Sequence, residues 1–191
     1  MKLSALLLFC ALQVAAPPSA VRVRIDTSAG AFVVELDAAR APGTVANFLR
    51  YVDGGFYDGG VFHRTVHAGN ETRPDVPVQI VQAAMHGARE SEAWGAIPLE
   101  RTRLTGLTHA DGTISMARSA AADSARDEFF ICIGDQPVLD FGGKRSRDGQ
   151  GYAAFGRVIS GMDVVRRIQQ QPAKAQRLDP PVAIVSARRI E

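Results

Sequence analysis

The residues of this chain that could do chemistry fall in two short stretches. Val61-Phe62-His63-Arg64-Thr65 follows the glycine pair Gly59-Gly60 and precedes a long polar loop. An arginine at the end of an apolar strand is costly without a task, because a guanidinium stays charged and carries five donors. Phe129-Phe130-Ile131-Cys132-Ile133 is a continuous apolar run of strand character. The two read as opposite walls of one groove, a fixed cationic donor facing an apolar pocket. That pairing suits electrostatic stabilisation of a ligand atom held by apolar contact.

Other chemistries find little support. His63, His67, His86 and His109 lack metal-ligand spacing, and no cysteine or carboxylate cluster joins them. No metal or other cofactor is expected. There is no GxSxG nucleophile motif. Gly142-Gly143-Lys144-Arg145-Ser146 lacks the spacing of a phosphate loop and reads as a solvated basic loop. The formal charge of +2 gives no argument for nucleic acid or an anionic membrane surface. Of the two cysteines, Cys10 and Cys132, only the second lies in the expected mature chain. Cys132 reads as a buried small hydrophobe.

The elements that must position these residues follow from periodicity. Residues 1–20 read as a signal peptide: Lys2, the apolar run Leu6 to Leu12, then small residues at Ala15-Ala16 and Ser19-Ala20. Residues 21–191 then form one domain, exported and with no membrane contact once the leader is cleaved. Val21 to Thr27 alternates apolar and polar residues, and Phe32, Val34 and Leu36 continue the pattern past Gly30, giving a hairpin. Val45, Phe48, Leu49 and Val52 set a helical face after Pro42, which Gly54-Gly55 ends. Further strands are expected at 78–84, 113–117, 129–133, 155–159 and 182–190, and a second helix around Met162, Val165 and Ile168. Trp94 reads as a packing anchor. About eight strands and two helices predict an all-β fold, a closed antiparallel barrel or a sandwich. Phe32, Leu36, Phe129, Ile131 and Phe155 look sufficient to fill a barrel, which argues against a hollow carrier of small apolar ligands.

Phe62-His63-Arg64, Val81-Gln82, Gly112 to Ala117, Phe129-Phe130-Ile131, Leu139-Asp140 and Phe155-Gly156 occur in the order seen in the cyclophilins, the peptidyl-prolyl cis–trans isomerases. The resemblance covers residue 21 to the C-terminus. The Leu139 to Gly143 loop and the leader resemble bacterial exported members, so the periplasm is the expected location. The implied fold is a closed eight-stranded antiparallel barrel capped by two helices. The implied activity is rotation about X–Pro bonds in proline-containing polypeptides, by a monomer without cofactors. Arg64 takes the position of the catalytic arginine. Phe62, Ile80, Gln82, Met116, Ala117, Glu128, Phe130, Leu139 and Tyr152 are the implied substrate-binding residues. Several positions depart from the family's pattern: Gln79 replaces a phenylalanine, Arg118 an asparagine, Glu128 a glutamine, and Val138 the tryptophan of cyclosporin-sensitive members. These departures leave a second reading, a proline-peptide-binding module with little catalysis. The Val138 replacement implies weak cyclosporin binding.

Overall fold

A computed structural model describes residues 20–191; apart from Ala20, the expected signal peptide lies outside the described residues. Among the described residues nine strands are formed: β1 (Val21–Thr27), β2 (Gly30–Leu36), β3 (Val61–Val66), β4 (Ile80–Ala84), β5 (Thr113–Met116), β6 (Phe129–Cys132), β7 (Ala153–Ser160), β8 (Ala173–Lys174) and β9 (Arg177–Ile190). The sheet order is β1-β2-β7-β5-β6-β4-β3-β9-β8, and a further β1–β9 pairing closes the ring. The two-residue β8 pairs only with β9, so eight strands make the barrel, all antiparallel to their neighbours. Among the described residues no helix is long and apolar enough to cross a membrane.

Alternation does the work expected of it. Val23 and Ile25 of β1 and Phe32, Val34 and Leu36 of β2 point inward and are buried. The described residues form three α-helices: α1 (Pro42–Asp53), a four-residue turn α2 (Thr102–Thr105) and α3 (Met162–Gln169). Pro42 lies in the first turn of α1, Gly54 caps its end, and Val45, Phe48, Leu49 and Val52 are buried. The two longer helices meet β2 at opposite ends. Leu36 leads into α1, while a side chain at Gly30 would press on Val164 of α3. The interior is filled by rings: Phe48 lies 5.3 Å from Tyr57, 5.5 Å from Phe129 and 5.3 Å from Phe155 between centroids. A hollow carrier is thereby ruled out. Trp94 packs against Tyr51 and Phe56, both at 4.8 Å.

Two features depart from expectation. Strand β9 begins at Arg177 rather than Val182 and runs through Pro180 and Pro181. It pairs with β3 at Val182–Ala183 and again at Arg177, leaving the prolines outside the ladder, where no N–H is required of them. Arg145 is also no solvated loop residue. Its side chain is 9% exposed and that of Glu71 4%, and the two form an ion pair at 3.0 Å. Arg145 donates further to the Val76 carbonyl, while Glu71 accepts from the Arg73 and Val78 N–H groups. The pair staples loop 67–77 to loop 142–151.

Burial opposes ionisation of Glu71, but these N–H donors and Arg145 outweigh it and hold the carboxyl below its ordinary value of 4.5. A carboxyl more acidic in the folded than in the unfolded chain adds stability above the unfolded value and loses it as pH falls through the folded one. The urea midpoint should therefore drop as pH is lowered below about 4.5. Glu71→Gln should remove part of that slope, measured by fluorescence-detected unfolding at several pH values.

Candidate active site

Strict alternation along β3 from the buried Phe62 would place Arg64 inside the barrel. It does not lie there. The β3–β4 register shifts so that Phe62 pairs with Ala83 and Arg64 with Gln82, leaving His63 as an extra residue. Such a bulge re-aims the side chains that follow. Arg64 and Val66 thus join Ile80 and Gln82 of β4 and Phe130 and Cys132 of β6 on the outer face, while Phe62, Val81, Ala83, Phe129 and Ile131 fill the interior. The two stretches are therefore not opposite walls of a groove. Their outward-facing residues lie on one face of one sheet, with β4 between them.

Two of the expected substrate-binding residues have their side chains in the barrel interior rather than on this outer face. Phe62 is fully buried among Phe32 and Phe129 at 6.1 and 5.9 Å, and Met116 is 1% exposed in the same interior cluster. Their side chains face away from any ligand on the outer face. Ile80, Phe130 and Leu139 do come together, with Val66, Val78 and Cys132, in a separate outer cluster, and Ala117, Val138 and Tyr152 pack on its edge. Burial pushes the Cys132 thiol far above its usual range, consistent with an inert hydrophobe.

Beside this cluster runs a polar chain. Arg64 Nε and one terminal nitrogen donate to Gln176 Oε1 at 3.0 and 2.6 Å, and the other terminal nitrogen donates to Gln82 Oε1 at 2.9 Å. Gln82 Nε2 donates to Glu128 Oε2. The guanidinium is thus clamped by two neutral amides. Three of its five N–H groups are engaged, so two remain to donate outward. Burial, then the Arg145 charge, lowers the Arg64 pKa without threatening its ionisation at neutral pH. Burial likewise lowers the His63 pKa, against the pull of Glu128, so this imidazole is neutral at pH 7. A cavity of about 410 Å³, lined by His63, Arg64, Gln176 and Arg177, opens beside the arginine.

Gln176 has no signal in the sequence. It sits 112 residues from Arg64, after Ala175, whose φ of 55° makes the turn between β8 and β9. Arg118 is held by its neighbours: its side chain is 3% exposed and pairs with Asp148, and its guanidinium lies over Tyr152 at 5.2 Å. Tyr152 in turn meets Phe130 edge-on at 5.6 Å. Beneath, His109 stacks on Phe130 at 6.0 Å and bridges Asp140 and Ser115 at 2.7 and 2.9 Å. This chain has the composition of a hydrolase triad, but Ser115 and His109 are buried. It serves to fix the floor under Phe130.

The barrel is closed and ring-filled, and Arg64 stands with an apolar cluster on its outer face. A family model described as cyclophilin type peptidyl-prolyl cis-trans isomerase matches residues 22–189, and the chain belongs to that family. It is 37% identical over 155 residues to peptidyl-prolyl cis-trans isomerase A of Dickeya dadantii, covering 81% of this chain and 74% of that one. It is 33% identical over 151 residues to peptidyl-prolyl cis-trans isomerase B of Escherichia coli, covering 77% and 83%. A solved cyclophilin type isomerase of Cryptosporidium parvum superposes with a TM-score of 0.71 at 20% identity, over 90% of this chain and 98% of that one. The chain is accordingly an enzyme of the peptidyl-prolyl isomerase class.

Proposed function

We propose that this isomerase accelerates X–Pro rotation in exported proteins, with Arg64 donating to the twisted prolyl amide. The uncatalysed barrier of about 18–20 kcal/mol comes from amide resonance. At the half-rotated state that resonance is lost and the prolyl nitrogen becomes a better acceptor. A donor aimed at this nitrogen or the neighbouring carbonyl favours the twisted state over both planar ones. Ile80, Phe130 and Leu139 hold the pyrrolidine ring, and Gln82, with one N–H still free, steadies the flanking chain. A 10⁵-fold acceleration needs roughly 7 kcal/mol. One positioned donor supplies about 2.7–4 kcal/mol, and orientation contributes to the rest.

The observation that carries this reading is the neutral clamp on Arg64: its acceptors are the amides of Gln82 and Gln176, no carboxylate pairs directly with it among the described residues, and two of its N–H groups are left unengaged. Export rests on the leader-like composition of residues 1–20. The test is NMR exchange spectroscopy on an Ala-Pro peptide, where catalytic amounts of the protein should broaden or exchange-couple the cis and trans signals. The second reading, a proline-peptide-binding module with little turnover, is favoured by one feature. Phe130 is only 2% exposed, with Tyr152 edge-on against it, so little of its ring is offered to a twisting substrate. Binding without exchange would select this reading.

A further inference from the structure

We infer that Glu128 makes the enzyme prefer a cationic residue immediately before proline. The inference rests on the isomerase reading above.

Direction along the sheet sets which part of the substrate Glu128 meets. On β4 the outer-face residues run Ile80, then Gln82; opposite them on β6 stand Cys132 and Phe130. The ladder continues past β6, where the Ala117 N–H donates to the Glu128 carbonyl at 2.9 Å. Glu128 therefore lies two residues beyond Phe130, about 6–7 Å along the strand, on the side away from Ile80. Arg64 is paired with Gln82, between the apolar cluster and Glu128. A pyrrolidine ring seated against Ile80, Phe130 and Leu139, with its nitrogen at Arg64, sends its other nitrogen substituent toward Glu128. That substituent is the residue before proline.

The charge at this point is free to act outward. The Glu128 side chain is 43% exposed, and no lysine or arginine pairs with it among the described residues. Its Oε2 accepts from Gln82 and lies 4.0 Å from His63 Nε2, and neither neighbour is cationic at pH 7. Arg64 reaches Glu128 only through the intervening Gln82 amide and forms no direct ion pair with it. A lysine or arginine side chain leaving the peptide here would meet an unpaired carboxylate. A glutamate would meet repulsion.

The test compares Ala-Lys-Pro-Phe, Ala-Ala-Pro-Phe and Ala-Glu-Pro-Phe peptides by NMR exchange, which needs no coupling protease with its own specificity. At low ionic strength kcat/KM for the lysine peptide should exceed that for the glutamate peptide by about three- to tenfold, the scale of a partly exposed ion pair gained against one repelled. The ratio should fall toward one as salt rises to about 1 M, where screening acts over about 3 Å. Glu128→Gln should also bring the ratio to about one, whatever its effect on the absolute rate. The wild-type ratio and its salt dependence stand without the variant. A wild-type ratio of one at low salt, with the alanine peptide turned over, overturns this inference and leaves the isomerase reading intact. Failure to turn over any of the three overturns the isomerase reading instead. The same ratio is then read from peptide dissociation constants, and equal affinities overturn the role of Glu128 in binding as well.

Discussion

Arg64→Ala should lower kcat/KM on an Ala-Pro peptide by roughly 10²–10³-fold, the usual loss when one preorganised donor is removed from a polar transition state. The fold should survive. Arg64 reaches only Gln82 and Gln176, both amides that water can satisfy at this partly exposed site, and it closes no buried ion pair. Far-UV and near-UV circular dichroism should therefore match the wild type. Arg64→Lys should fall between the two. An ammonium keeps the charge but cannot span Gln82 and Gln176 while also donating outward from a rigid fork. The loss should appear chiefly in kcat, since the donor acts on the twisted state more than on either planar one. An Arg64→Ala protein that retains wild-type exchange would remove the arginine from the mechanism.

The largest structural effect is expected two strands away, on β6. Phe129→Ala should cost about 3–5 kcal/mol, the range for deleting a buried aromatic ring from a packed core. Phe129 is fully buried and makes edge contacts with three rings, Phe48 at 5.5 Å, Tyr57 at 5.4 Å and Phe62 at 5.9 Å. These belong to α1, the turn after it and β3, so one deletion loosens the seat of α1 and the inner face of β3 together. At about 2–4 °C per kcal/mol for a domain of this size, the melting temperature should fall by roughly 6–20 °C. Scanning calorimetry measures it directly. Its neighbour Phe130 faces outward in the apolar cluster beside Arg64. Phe130→Leu should therefore weaken peptide turnover more than it lowers the melting temperature. Equal melting temperatures for Phe129→Ala and wild type would contradict the inward assignment.

Much of this architecture was readable from residue patterns because the strands that carry it alternate cleanly. Val23, Ile25, Phe32, Val34 and Leu36 have one buried face, and a period of two fixes which side it is. The helical stripe of Val45, Phe48, Leu49 and Val52 is equally direct. What escaped the reading lies where period and sequence distance fail. The bulge at His63 has no composition of its own, yet it turns Arg64 outward and separates it from Phe62. A motif taken as one unit thus splits into an inner residue that packs and an outer one that reaches the polar chain of Gln82 and Gln176. Gln176 comes to Arg64 through a tight turn in a stretch whose prolines suppress any strand assignment. Glu71 and Arg145 sit in two polar loops that each look solvated, and only their meeting buries them.

The ring is sealed by strands from the two ends of the described fold, β1 against β9. Every other strand of the barrel is thus synthesised before the one that shuts it. A nascent chain still lacking β9 would hold β1 and β3 as two unpaired edges, each able to recruit a foreign strand. Premature termination shortly before residue 177 should consequently yield aggregating fragments rather than a smaller working domain.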